Sequence, residues 1–199
     1  PQHGSLLLIP TFAAYPNADG YWSGSGTFNT TGTDFVAGYT GTKFGAFFRL
    51  TGVTIASGST ITAATQDYTK NSGAGTPGIR IACEAADNAT FPSSKADAEG
   101  RTITSSYANI TSLPADGRRT TPDFAASVQE VIDRGGWASG NAIQVHWRDN
   151  KATGSNFIQG RCIERAGTSE DPYFSITYTE PAKAQPVFRR RTRTFKQRW

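Results

Sequence analysis

The sequence lacks several features that would each point to a particular class of protein. It contains no methionine and only two cysteines, Cys83 and Cys162, in 199 residues. Two cysteines are too few for a disulfide-rich scaffold or for a zinc site with four cysteine ligands. No apolar run approaches the length of about 18 residues that a membrane-spanning helix needs. The sequence therefore predicts neither a disulfide scaffold nor a membrane protein.

Several common catalytic motifs are also absent. The patterns HExxH, CxxC, G-x-S-x-G and the P-loop do not occur. Of the two histidines, His3 lies near a chain end, and alternation places His146 on the solvent face of a predicted strand. Glycoside hydrolysis needs a carboxylate pair, and nothing in the sequence selects one. The acids available for such a pair include Asp87, Glu164, Glu170 and Asp171. We therefore expect a protein that is not an enzyme.

Positive charge is concentrated at the C-terminal end. The whole chain has 20 Lys and Arg against 16 Asp and Glu, a net charge of +4. Residues 183–199 hold 7 of those bases and no acid, which leaves 13 bases against 16 acids, or −3, for residues 1–182. An argument from basic charge to a binding partner therefore concerns the C-terminal segment alone.

Alternation of apolar and polar residues predicts a chain built mainly of β-strands. The predicted strands lie at 44–50, 61–65, 79–84, 102–110, 143–148, 157–165 and 173–178. Turn residues recur about every 8–15 positions, and strands do not alternate with helices. The pattern predicts an all-β fold, an antiparallel β-sandwich of the jelly-roll kind, with extended N- and C-terminal arms.

One short helix is expected within this sandwich. Thr121 suits an N-cap, Pro122 the first helical position and Asp123 the first turn. The apolar stripe that follows consists of Phe124, Val128, Val131 and Ile132. Residues 71–78 and 86–101 are expected to be loops because they are rich in glycine or polar residues.

The chain divides into three predicted segments. Residues 1–42 form an N-terminal arm with the first strands, and residues 43–180 form the β-sandwich domain. Residues 181–199 form a basic and aromatic tail, with Pro181 and Pro186 bracketing the connection to it.

Three sequence segments, taken in order, carry a resemblance. They are AFFRLTGVTIASGSTITAATQDY (46–68), TPDFAASVQEVIDRGGWASGNAIQVHW (121–147) and RCIERAGTSEDPYFSITYT (161–179). Together they resemble the DNRLRE-like β-sandwich modules of bacterial surface proteins and the related, carbohydrate-binding-module-like domains of phage structural proteins. The likeness covers roughly residues 40–180. It implies a jelly-roll sandwich that binds surfaces, glycans or neighbouring structural subunits, and it places no catalytic or metal-binding residue on this chain.

The tail combines arginines with aromatic rings. Its candidate docking residues are Phe188, Arg189, Arg190, Arg191, Arg193, Phe195, Arg198 and Trp199. Arginine and tryptophan are enriched at the energetic centres of protein interfaces, which favours docking on an acidic neighbour. A solvated end and a nucleic-acid-binding segment are the alternatives. We expect docking rather than nucleic-acid binding.

These observations lead to an expected function and one alternative. We expect a bacteriophage virion protein, a minor tail or capsid-decoration component that binds other virion subunits and further copies of itself. It would be made in the host cytoplasm, because residues 1–12 do not resemble a signal peptide. The alternative is a carbohydrate-binding module or host-surface adhesin with Tyr21, Trp22 and Trp137 stacking on sugars. Trp137 has the further alternative of closing one end of the sandwich.

Two questions about ligands remain open at this point. Cys83 and Cys162 either form a disulfide between strands or pack as two buried thiols. No cofactor is expected, and calcium is the one alternative. Its oxygen ligands would come from Asn17, Asp19, Glu170 and Asp171. The same residue types occur in metal-free turns.

Overall fold

A computed structural model describes residues 9–165 and 169–182. The described residues form twelve strands and two helices. The strands are β1 (Thr11–Ala14), β2 (Ala18–Ser23), β3 (Phe28–Asn29), β4 (Asp34–Thr40), β5 (Lys43–Leu50), β6 (Thr60–Ala74), β7 (Ile79–Cys83), β8 (Ala108–Ile110), β9 (Gly117–Thr120), β10 (Ile143–Asp149), β11 (Ser155–Arg161) and β12 (Tyr173–Thr179). The helices are α1 (Lys95–Gly100) and α2 (Ala125–Ile132). Neither helix is long and apolar enough to cross a membrane.

All the strands belong to one curled antiparallel sheet, which confirms the predicted β-rich antiparallel fold. The main path runs β1-β12-β6-β11-β4-β5-β10-β7-β8. Strand β2 pairs with β3 and β5, and β9 pairs with β6. Strands β1 to β4 therefore join the same sheet as the strands of residues 43–180.

The main core lies on one face of this curled sheet. Its centre is the ring of Trp147, which packs edge-on against Tyr68 at 4.9 Å and Phe35 at 5.3 Å between ring centroids. The apolar side of α2 closes the same core with Val128 and Val131. Burial of large apolar side chains is the main favourable term in folding, so these rings are the principal source of stability.

A smaller apolar cluster covers the opposite face of β5. Phe47 is fully buried there with Trp22 and Ala98, and Phe28 and Phe91 pack against them. Ala98 belongs to α1, so the predicted loop 86–101 is wrong where this helix lies. Ser94 caps α1 by accepting a hydrogen bond from the backbone N–H of Asp97 at 3.2 Å. The fold consequently has two helices, where one was predicted.

The predicted loop 71–78 is wrong in its first half, because β6 continues to Ala74. The partner strand explains the difference. Gly73 and Ala74 pair with Ile158 and Phe157 of β11, which supplies the ladder that local composition did not indicate. Strand β11 itself ends at Arg161, so Cys162 lies just beyond it rather than within the predicted strand 157–165.

The predicted helix start is also wrong, because α2 begins at Ala125 with Phe124 as the N-cap. Thr121 is engaged elsewhere. Its backbone N–H donates to the carbonyl of Gln66 and its hydroxyl oxygen accepts from the N–H of Gln66. Pairing with β6 therefore replaces the helix cap that the sequence suggested. The predicted strand 102–110 is similarly reduced to β8 and an isolated bridge between Ile103 and Glu84.

Candidate functional site

A groove of about 380 Å³ lies where β6, β8 and β9 meet. Tyr68 of β6 contributes to its wall, and Asn109 of β8 and Thr120 of β9 flank it. Thr111 and Ser112, in the connection between β8 and β9, add two hydroxyl groups. Strands of one sheet supply part of the wall, and the connections that follow β8 and β9 supply the rest.

The groove offers neutral polar groups for binding. Among the described residues, none that line it carries a charge. Burial raises the pKa of Tyr68 to about 12, although the nearby Arg119 opposes the shift. The phenol therefore stays protonated near neutral pH and can donate a hydrogen bond. Hydroxyl, amide and phenol groups beside apolar surface suit an uncharged ligand with hydroxyl groups of its own.

The three aromatics predicted to contact glycans lie elsewhere. Trp22 and Trp137 are each only 4% exposed, so neither presents a free ring face to solvent. Tyr21 is half-buried, with its ring 6.5 Å from that of Phe44. Trp22 borders a smaller cavity of about 160 Å³ together with Arg148. None of the three lines the larger groove.

His146 is fully buried, so the predicted solvent-facing position is wrong. The second face of β10 is covered by the segment that carries Glu84 and Arg101, which simple alternation could not reveal. Nε2 of Gln144 donates to Nε2 of His146 at 3.0 Å, and the Glu84 carboxylate lies 3.7 Å from the same nitrogen. Burial lowers the pKa of His146 against the opposing effect of Glu84, and nearby Arg148 adds to the lowering. The imidazole is therefore neutral near pH 7.

This buried network is held together by structural contacts. Arg101 donates to Glu84 at 2.8 Å and to Asp97 at 2.6 Å, which ties α1 to the end of β7. In the described part of the chain, the only hydrogen-bond and ion-pair partners of the His146 imidazole are Gln144 and Glu84. Among the described residues, no serine or cysteine side chain is hydrogen-bonded to this imidazole, so none is placed to transfer a proton to it. The geometry supports a packing role for His146.

The predicted calcium ligands mostly serve protein contacts. Oδ1 of Asn17 accepts from the N–H of Thr51 at 2.7 Å, and Glu170 accepts from Arg165 at 2.7 Å. Asp171 is 7% exposed, and Asp19 is only 1% exposed. Of these residues, Asp19 alone belongs to a cluster of possible metal ligands in the described ranges.

That cluster consists of Asp19, Cys162 and Glu164, whose candidate ligand atoms all lie within 4.8 Å of one another. Asp19 lies on β2, and the other two residues follow β11. Burial raises the pKa of Asp19 to about 7, and the neighbouring Glu164 carboxylate adds to the shift. Burial also raises the pKa of the Cys162 thiol, with Asp19 contributing. The sequence suggested a separate role for each of these residues, and the fold brings them together.

The two cysteines are free thiols, and both are buried. Cys83 does not belong to the cluster of Asp19, Cys162 and Glu164. Burial raises the pKa of Cys83 to about 12, and its backbone N–H donates to the hydroxyl of Ser127 at 2.7 Å. Of the two alternatives for Cys83 and Cys162, the structure shows two separate buried thiols and no disulfide between them.

The eight predicted docking residues, from Phe188 to Trp199, lie outside the described residues. No protein-family model matches the sequence, and no curated protein matches it.

Proposed function

We propose that this chain is a non-enzymatic structural subunit of a bacteriophage particle, a minor tail or capsid-decoration protein. It binds neighbouring subunits, including further copies of itself, through its basic tail. The resemblance over roughly residues 40–180 supports the phage assignment. The jelly-roll sandwich that this resemblance implies belongs to the same proposal.

The observation that carries the proposal is the difference in charge composition between the body and the tail. Among the described residues of the body, several bases form ion pairs with nearby acids. Arg161 binds Asp34 at 2.6 Å, and Arg134 binds Asp87 at 2.5 Å. Further body pairs join Lys70 to Asp116, Lys95 to Glu99, Arg101 to Glu84 and Arg165 to Glu170.

The tail has no acid of its own to serve in this way. Residues 183–199 carry 7 bases and no acid, whereas residues 1–182 carry a net charge of −3. An acidic surface on a neighbouring subunit would supply the missing counter-charges, and the body of a second copy has the required sign. Complementary charge of this kind speeds encounter and suppresses wrong partners. Interleaved aromatic residues would provide the apolar anchors.

The test is incorporation into particles. Density-gradient fractions from the source culture are probed with an antibody raised against the purified chain. The proposal predicts the chain in the particle fraction, and a chain found only among free proteins would overturn it. In the same assay, the fourfold Arg→Gln variant at positions 189, 190, 191 and 193 should lose incorporation.

A charge-matched control separates tail docking from a general charge effect. This control carries Lys→Gln at positions 43, 95 and 151 and Arg→Gln at position 165, which removes four bases from the described body. It should incorporate at least as well as the wild type, because it keeps the basic tail and makes the body more acidic. Equal incorporation of the tail variant would reject the docking role of the tail.

The groove between β6, β8 and β9 favours a second candidate function, the binding of a host-surface glycan. Its support is the uncharged lining with Tyr68, Asn109 and Thr120. The ligand would be a neutral sugar, because its hydroxyl groups match the lining groups. This candidate replaces Tyr21, Trp22 and Trp137 as the contact residues.

A glycan array tests this candidate with the full chain. Asn109→Ala should abolish binding of any neutral glycan that the wild type retains. Asn150→Ala removes another exposed asparagine, outside the groove, and should leave binding unchanged. Absence of binding by the wild type, or equal binding by both variants, would reject the groove as a glycan site.

A further inference from the structure

The carboxylate of Asp19 is buried with only part of its hydrogen-bonding capacity used. Asp19 is 1% exposed, and its Oδ2 accepts a hydrogen bond from the backbone N–H of Ile163 at 3.0 Å. Oδ1 is inaccessible to solvent and has no hydrogen-bond partner among the described residues. A buried acceptor without a partner is costly, and a bound cation would remove that cost.

Two further potential ligands lie beside this carboxylate. The thiol of Cys162 and a carboxylate oxygen of Glu164 lie within 4.8 Å of each other and of Asp19. Cys162 is 1% exposed, whereas Glu164 is exposed. The site therefore has two buried ligands and one ligand at the surface, through which an ion can enter.

We propose that Asp19, Cys162 and Glu164 form a binding site for a divalent transition-metal ion, with Zn²⁺ as the best match. Zinc binds cysteine sulfur at about 2.3 Å and carboxylate oxygen at about 2.0–2.2 Å, in tetrahedral geometry. Three protein ligands leave a fourth position for water. Ligand atoms already within 4.8 Å of one another need only a modest inward movement, which the exposed Glu164 side chain can supply.

The sulfur ligand distinguishes this site from the calcium site considered from the sequence. Calcium and magnesium take oxygen ligands almost exclusively. A thiolate selects softer ions such as zinc. Binding breaks the S–H bond of Cys162, forms a metal–sulfur bond and releases the proton to solvent, without any change in oxidation state.

The metal would join two parts of the chain that are distant in sequence. Asp19 lies on β2, which pairs with β3 and β5, whereas Cys162 and Glu164 follow β11, which pairs with β4 and β6. The existing bond from Ile163 to Asp19 already holds these parts in register. An ion bound only by the folded chain raises its stability in proportion to the logarithm of the free metal concentration.

The experiment titrates the reduced full-length chain with Co²⁺, a spectroscopic probe for zinc sites. The wild type should develop thiolate-to-cobalt charge-transfer absorption that one equivalent of Zn²⁺ abolishes. Cys162→Ala should show none of this absorption. Cys83→Ala removes the other buried cysteine and should retain it.

A second variant keeps the test decisive if Cys162→Ala fails to fold. Glu164→Gln changes an exposed side chain and should weaken Co²⁺ binding about tenfold or more, with an unchanged circular dichroism spectrum. Zn²⁺ should raise the melting temperature of the wild type more than that of Glu164→Gln. Absence of charge-transfer absorption in the wild type, its persistence in folded Cys162→Ala, or equal Co²⁺ affinity in Glu164→Gln would overturn the proposal.

Discussion

The indole of Trp137 donates a 3.0 Å hydrogen bond from Nε1 to the carbonyl oxygen of Ile55, and its ring is 4% exposed. Trp137 lies in the turn after α2, and Ile55 lies in the connection between β5 and β6. Both residues belong to the main core. The ring therefore fastens two connecting segments over that core and has no free face for a sugar.

Replacing this ring should cost much of the stability of the fold. We expect Trp137→Ala to lower the free energy of unfolding by about 3–5 kcal/mol, because it removes a large buried side chain and leaves the Ile55 carbonyl without its partner. Urea unfolding at equilibrium measures the change. Trp137→Phe keeps most of the ring and should cost less. An unchanged midpoint for Trp137→Ala would contradict a packing role.

The edge of β6 that faces α2 is capped by side chains. Oδ1 of Asp123 accepts from the N–H of Ala64 at 2.9 Å, and Oε1 of Gln129 accepts from the N–H of Ile61 at 2.7 Å. The same Asp123 oxygen accepts from the N–H of Ala125 at the start of α2. Unpaired strand edges invite pairing with other chains, so these caps protect the sheet as well as stabilise it.

Loss of the Asp123 cap should therefore have two measurable effects. We expect Asp123→Ala to lower the free energy of unfolding by about 1–2 kcal/mol and to increase aggregation on heating. Thermal unfolding followed by circular dichroism and turbidity measures both. Glu99→Ala is the control, because among the described residues the Glu99 carboxylate accepts only from Lys95 on the exposed side of α1, away from β6. Equal behaviour of the two variants would contradict the edge-capping role.

The buried imidazole of His146 should make stability depend on pH. Its pKa in the folded chain lies below the ordinary value of 6.5, because burial disfavours the charged form. Below about pH 6.5 the unfolded chain binds a proton that the folded chain excludes, so this contribution to stability falls as the pH decreases. Glu84, Arg101 and Arg148 are the charged groups that set the size of the effect.

Comparison with a variant isolates that contribution from other titrations. His146→Gln retains a polar side chain and does not titrate. Between about pH 7.5 and pH 5.5, the wild type should lose more free energy of unfolding than His146→Gln does. Urea unfolding at the two pH values measures both losses. Equal losses would show that His146 is not held neutral by the fold.

The sequence predicted those strands whose pattern is local. Residues 44–50, 143–148 and 173–178 alternate clearly, and each forms a strand with nearly the predicted bounds. It did not predict features that depend on distant partners. The polar end of β6 becomes a strand because β11 pairs with it, and His146 is buried because α1 and its flanking residues cover β10.

The candidate sites illustrate the same limit. Asp19, Cys162 and Glu164 were each notable in the sequence, but their proximity depends on how β2 and the end of β11 are placed in the sheet. The groove depends on three strands meeting at Tyr68. Only the contrast between the acidic body and the basic tail could be obtained from composition, because it needs no tertiary contact.

The most direct test of tail-dependent assembly is the molar mass of the full chain in solution. Light scattering should give the mass of a defined oligomer for the wild type, a whole multiple of the 21.3 kDa monomer that is greater than one. The fourfold Arg→Gln variant at positions 189, 190, 191 and 193 should give the mass of the monomer, and the charge-matched body variant the mass of the wild type. Identical masses for the wild type and the tail variant would contradict the account.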